Sequence, residues 1–160
     1  MANFSELIRF SATLEREVTV PRYDYWIHGV STMVEDAERA TDIIHFGSGT
    51  TVRQPANTDN WFHIAVPTPT IIDDEEKVGL RVVAFHAKAE NADITEWHLY
   101  MGKDLVGTRQ ENWTGEIYQA WEVGNWALSG PLNLCFRVAF HDSTPQATFT
   151  FQGAGAGFEG

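Results

Sequence analysis

Leu132-Asn133-Leu134-Cys135-Phe136-Arg137-Val138-Ala139-Phe140-His141 is the stretch that decides the fold class. In an extended chain successive side chains point to opposite faces, so Leu132, Leu134, Phe136, Val138 and Phe140 share one side and Asn133, Cys135, Arg137, Ala139 and His141 the other. The first set predicts a strand with one face in a core. Thr95–Met101 repeats the alternation, with Trp97, Leu99 and Met101 on one face and Glu96, His98 and Tyr100 on the opposite one. Working outward, short β-branched and aromatic runs predict strands at about 14–20, 23–34, 41–46, 50–54, 61–66, 78–88, 94–101, 104–110, 117–123, 131–141 and 147–152. Gly47-Ser48-Gly49 and Met101-Gly102-Lys103-Asp104 read as tight reversals, and Pro67-Thr68-Pro69 stops a ladder because proline has no amide donor. Apart from Asn3–Arg16, where Phe4, Leu7, Ile8 and Leu14 could form a turn or two of helix or equally an extended arm, apolar spacing of three and four is not sustained, so long amphipathic helices are not expected. The expectation is an all-β chain built as an antiparallel, jelly-roll-like β-sandwich, with a closed barrel as second choice.

A chain of 160 residues with 43% hydrophobic and 12% aromatic content is the size of one domain and buries a sizeable core without a staple. The division expected is an N-terminal arm or extra strand over 1–25 and the β-sandwich over 26–160. A formal charge of −11 opposes nucleic acid, whose phosphates need clustered Lys and Arg. Membrane insertion is not expected, since no stretch is apolar for long enough to cross a bilayer. Glu6 and Arg9 interrupt the first apolar residues, so the start does not read as a secretory signal and the default location is cytoplasmic; a cleaved leader or non-standard export stays open.

Two constellations carry candidate chemistry. If Ala89-Glu90-Asn91-Ala92-Asp93 is a hairpin turn, His86 faces Glu96 with His98 diagonally near, and Tyr100 lies farther along the same face. Histidine beside a carboxylate suits proton transfer or zinc, while the plainer reading is a polar face turned to solvent or to an interface. His28, His45, His63 and His141 lack metal-ligand spacing and read as structural. Cofactor fingerprints, phosphate-cradling loops and nucleophile elbows are lacking, so no cofactor, metal or catalytic residue is assigned. Asp73–Lys77 reads as a solvated acidic loop, Gly153-Ala154-Gly155-Ala156-Gly157 as a close-packed or flexible tail, and Cys135 as a small buried hydrophobe.

The second constellation is tryptophan. Trp26, Trp61, Trp97, Trp113, Trp121 and Trp126 exceed the ordinary need of one small core, and the last three cluster beside Asn112, Glu116, Tyr118, Gln119 and Asn125. Three readings stand together: core packing, a protein interface, and a ligand surface on which indoles stack against sugar rings.

Trp26-Ile27-His28-Gly29-Val30-Ser31, then Val34-Glu35, Phe46-Gly47-Ser48-Gly49 and Asn60-Trp61-Phe62-His63-Ile64-Ala65-Val66-Pro67-Thr68-Pro69, resembles an uncharacterised bacterial all-β family over about Trp26 to Phe158. The resemblance implies a compact β domain and transfers no catalytic residue. The leading functional expectation is a non-enzymatic β-sandwich acting through protein–protein contacts, a homo-oligomer or self-assembling subunit anchored by Phe4, Leu7, Ile8 and Phe10. Its alternatives are a carbohydrate-binding module using Trp113, Trp121 and Trp126, with a glycan as partner, and a small-molecule enzyme with a β-barrel pocket around His86, Glu96, His98 and Tyr100.

Overall fold

The two-residue periodicity resolves, in a computed structural model that describes residues 22–69, 78–141 and 146–160, into nine strands. They are β1 (Arg22–His28), β2 (Met33–Val34), β3 (Asp42–Phe46), β4 (Gly49–Arg53), β5 (Thr58–Val66), β6 (Gly79–Met101), β7 (Asp104–Ala127), β8 (Leu132–Phe140) and β9 (Thr148–Glu159). The expected arm, with Phe4, Leu7, Ile8 and Phe10, lies outside the described residues up to Pro21, as do Asp73–Lys77. Arg22–Tyr25 forms the first part of β1.

All pairings are antiparallel, and they make one hydrogen-bonded sheet folded over on itself as a sandwich. One half contains β3, β4, β9, the first part of β6 and the second part of β7, with β1 also on β9. The other contains β2, β5, β8, the second part of β6 and the first part of β7. The fold line crosses β6 at Asn91, where φ is +51°, and β7 at Gly115, where φ is +74°. There β6 exchanges its neighbour: Glu90 still pairs with Thr148 of β9, whereas Ala92 already pairs with Phe140 of β8.

Two expectations are corrected by this corner. Residues 78–88 and 94–101 are not two strands joined by a hairpin but one strand, because the chain at Asn91 turns a corner without reversing and keeps a ladder on both sides. Likewise 104–110 and 117–123 are one strand, β7. The glycine–alanine segment takes the close-packed of its two expected forms, as the second half of β9, paired with β1 on one side and β6 on the other. The span 23–34 breaks at a 3-10 turn, Gly29–Ser31, where a Cβ on Gly29 would stand 1.9 Å from the carbonyl oxygen of Phe151.

The reversals at Gly49 (φ +143°) and Gly102 (φ +60°) fall where expected, and β5 ends at Val66, directly before Pro67. Leu132, Leu134, Phe136, Val138 and Phe140 are all buried, as are Trp97, Leu99 and Met101. Phe85 is fully buried between the halves, its ring centroid 4.4 Å from Phe136 and 5.4 Å from Trp121. Replacing Phe85 by Ala is expected to cost about 3–5 kcal/mol, read as a lower urea midpoint with unchanged slope.

Cys135 lies on the outer face of β8 yet is 2% exposed. Burial, assisted by the negative charge of Glu35, pushes its thiol up to about 12. At pH 8 the folded protein is therefore expected to react with an aromatic disulfide reagent at least about a hundredfold more slowly than the urea-unfolded chain, because the thiolate is the reacting form.

Candidate functional site

The parity of β9 sets the site. Phe149 and Phe151 face the core, and a bulge at Gln152, between the pairs His86↔Gly153 and Ala87↔Phe151, shifts the alternation by one. Ala154, Ala156 and Phe158 then point inward, which leaves Gly153, Gly155 and Gly157 on the outer face. The period-two glycines thus make a strip of sheet with no side chains standing on it.

Neighbouring strands supply the walls. Tyr118 of β7, His86 of β6, Gly153 of β9 and His28 of β1 form one cross-strand row, and Ala120, Ala84, Gly155 and Trp26 the next. Trp26 lies flat on the strip: a Cβ on Gly155 would meet the shared bond of its indole at 2.7 and 2.8 Å. One face of the ring rests on β9, and the residue remains 43% exposed. On the far side Tyr118, also exposed, meets the His86 ring edge-on at 5.8 Å. Between them runs a cleft of about 410 Å³, bounded by Trp26, His28, His86, Tyr118, Gln152 and Gly153, with Ile27.

Its polar groups are few and placed. His28 Nδ1 accepts the amide of Val30 at 3.3 Å, which orients the ring. His86 Nε2 stands 3.7 Å from Glu116. Burial raises the Tyr118 phenol above its ordinary value, so the hydroxyl stays a donor through neutral pH. Gln152 Oε1 is buried without a hydrogen-bond partner, and an acceptor in that state favours a ligand that brings a donor.

The sequence-predicted residues distribute otherwise. Trp113, Trp121 and Trp126 are not exposed platforms: they stand on the inner side of β7, half-buried against the core. Trp121 stacks on Trp97 at 4.6 Å and on Trp113 at 5.5 Å. Trp126 reaches across the sandwich, its Cη2 lying 3.7 Å from where a Cβ on Gly107 would stand.

His86, Glu96 and His98 are not brought together either, because the hairpin needed for that does not form. His86 lies opposite Tyr118 on one half, whereas Glu96 and His98 bond to each other at 2.7 Å on the other half. Tyr100 sits beside His98, ring centroids 6.1 Å apart, far from any convergence with His86 across the fold line. Among the described residues no group of three metal-ligating side chains is assembled. His45, His63 and His141 bond to Thr50, Glu35 and Asp93 respectively. Trp26, His28, Gln152 and Tyr118 went unselected as a group in the sequence; the readable signal was the period-two glycine run, whose empty face needs something to cover it.

Among the described residues no helix is long and apolar enough to cross a membrane. No curated protein matches the chain in sequence. Solved structures similar in fold include a low-affinity xylan-binding module, CBM86, from Roseburia intestinalis, at 14% identity and TM-score 0.50 over 84% of this chain and 94% of that one. A family 29 carbohydrate-binding module matches at 10% identity and TM-score 0.49 over 86% and 90%, and the xylan-binding module CBM15 at 11% and 0.44 over 88% and 96%. The shared fold with the CBM86 module corrects the expectation of a self-assembling subunit acting through protein–protein contacts and favours its carbohydrate-binding alternative. A family model matches residues 20–159, and the chain accordingly belongs to a family of unknown function, DUF6623.

Proposed function

We propose that this domain is a non-catalytic carbohydrate-binding module that takes an uncharged polysaccharide on the outer face carrying Trp26 and Tyr118. The observation that carries the reading is Trp26 laid flat on Gly155 and 43% exposed, beside a cleft floored by glycine. A sugar ring offers an apolar C–H face and a rim of hydroxyls. The first suits an indole plane, and the second suits the Tyr118 hydroxyl, the two imidazoles and the unpaired Gln152 oxygen. Among the described residues neither lysine nor arginine lines the cleft, and the chain is acidic, so an anionic ligand is disfavoured. The similarity in fold to the xylan-binding module of Roseburia intestinalis supports the same class of ligand. A structural polysaccharide is met outside the cell, so this reading replaces the cytoplasmic default with export.

Affinity electrophoresis over soluble xylan, mixed-linkage β-glucan, glucomannan and galactan tests the reading. Trp26→Ala and Tyr118→Ala are each expected to weaken binding to the retained glycan at least about tenfold, roughly 1.4 kcal/mol, with an unchanged melting temperature. Trp121→Ala is expected to do the reverse, lowering stability by roughly 3 kcal/mol while sparing the binding face. No retardation by any of the four glycans, or full binding by Trp26→Ala, rejects the proposal.

A further inference from the structure

The other half of the sandwich also carries a tryptophan on its outer side. Trp61 of β5, Arg137 of β8, Glu96 of β6 and Gln110 of β7 form one cross-strand row; His63, Cys135, His98 and Thr108 form the next. Trp61 packs against His98 at 4.6 Å, although β8 lies between their strands. The indole must therefore span β8 near Cys135, whose small side chain is buried on that face. The two rings are tilted by 42°, and Trp61 is half-buried there.

Beside Trp61 is a hollow of about 180 Å³ with a polar rim from Glu35, Asp36, Arg39, Asp59 and Arg137. The rim is held in place from below. Asn60, 3% exposed, donates to the carbonyl of Asp36 at 2.7 Å and to Gln54 Oε1 at 3.0 Å, and accepts from the amides of Asp36 and Trp61. Asp59 receives Arg39 Nη1 on one oxygen at 3.3 Å and Arg137 Nε on the other at 2.8 Å. Arg39 Nε also meets Asp36 at 2.7 Å, and Glu35 meets His63 at 2.8 Å.

Charge selects the ligand. Three carboxylates against two guanidinium groups repel an anion, and the arginines already hold Asp36 and Asp59, which leaves no open cage for a metal. What remains is a fixed set of donors and acceptors next to an aromatic plane; each arginine carries five N–H donors, more than one carboxylate uses. We propose that this hollow is a second saccharide-binding site, for an uncharged sugar stacked on Trp61, and that the domain bridges two polysaccharide chains. The ligand class rests on the proposed function, but the site is separate: the outer faces of a sandwich point away from each other, so both can be filled at once. Joining two chains raises avidity without a new contact at either site.

The test is titration of the 15N-labelled full chain with xylohexaose and with each of the four glycans named above, followed at the tryptophan Nε1–H resonances, with Trp26 and Trp61 assigned through their alanine variants. Both resonances are expected to move, and that of Trp61 is expected to move equally in Trp26→Ala. Arg39→Ala, a change on an exposed side chain, is expected to raise the Kd read at Trp61 about tenfold and leave that at Trp26 unaltered. A Trp61 resonance that stays fixed while Trp26 titrates, or an Arg39→Ala protein that titrates like the parent at Trp61, rejects the second site and leaves the first reading standing. Neither resonance moving with any of the four glycans named above rejects both.

Discussion

A single corner in one long hairpin organises this molecule. β6 and β7 are 23 and 24 residues long, and both bend at the same level, at Asn91 and Gly115. Between the pairs Ala89↔Gly115 and Ile94↔Trp113, Glu90–Asp93 on β6 face Thr114 alone on β7. That mismatch is too large for an ordinary bulge, and it turns the ribbon so that its two ends face each other. The hairpin thereby supplies neighbouring strands to both halves, and the interior is closed by rings from both sides of the corner: Phe85 against Phe136, and Trp97 against Trp121. Without the left-handed residues at the corner the same alternation would make one flat, two-sided sheet whose apolar face had no partner.

The interior determines the exterior through parity. Once Phe85, Ala87 and Ala89 are inside, His86 and Lys88 are outside; once Leu134 and Phe136 are inside, Cys135 and Arg137 are outside. The Gln152 bulge is the one place where β9 changes step, and it turns glycine rather than alanine outward. A tryptophan rests its plane on a sheet only where the residue beneath has little or no side chain. Gly155 meets that condition under Trp26, and the small, buried Cys135 lies on the strand between Trp61 and His98, whose rings are 4.6 Å apart. The small residues of the two central strands are thus part of the outer surfaces as much as of the packing.

Strand β8 was fully legible, because five apolar residues in strict alternation have one interpretation. The corner was not. Glu-Asn-Ala-Asp is the composition of a tight reversal, and an asparagine at positive φ serves a reversal and a bend equally well; which one forms depends on whether β8 and β9 are present to take up the ladder. The wrong register followed from that, and with it the false meeting of His86 with Glu96. Trp113, Trp121 and Trp126 drew attention by clustering in sequence, yet the clustering reflects one strand lining the mouth of the core. Trp26 stood alone in the chain, and its platform is made by residues about 130 positions away.

Two carboxylates show how the fold holds negative charge on its outer faces. Glycoside hydrolysis needs one carboxyl whose pKa is raised, so that it is protonated and ready to donate. Glu96 moves the other way: the hydrogen bond from His98 holds it below its ordinary value, with a bond from Gln110 and the charges of His98 and Arg137 adding to the effect against burial. Glu90 is lowered by its bond and ion pair with Lys88. Asp59 is shared between two arginines, and Glu116, the carboxylate beside the Trp26 cleft, stands next to His86 and within 4.0 Å of Lys88. Held charged in this way, Glu96 and Glu90 are hydrogen-bond acceptors rather than proton donors.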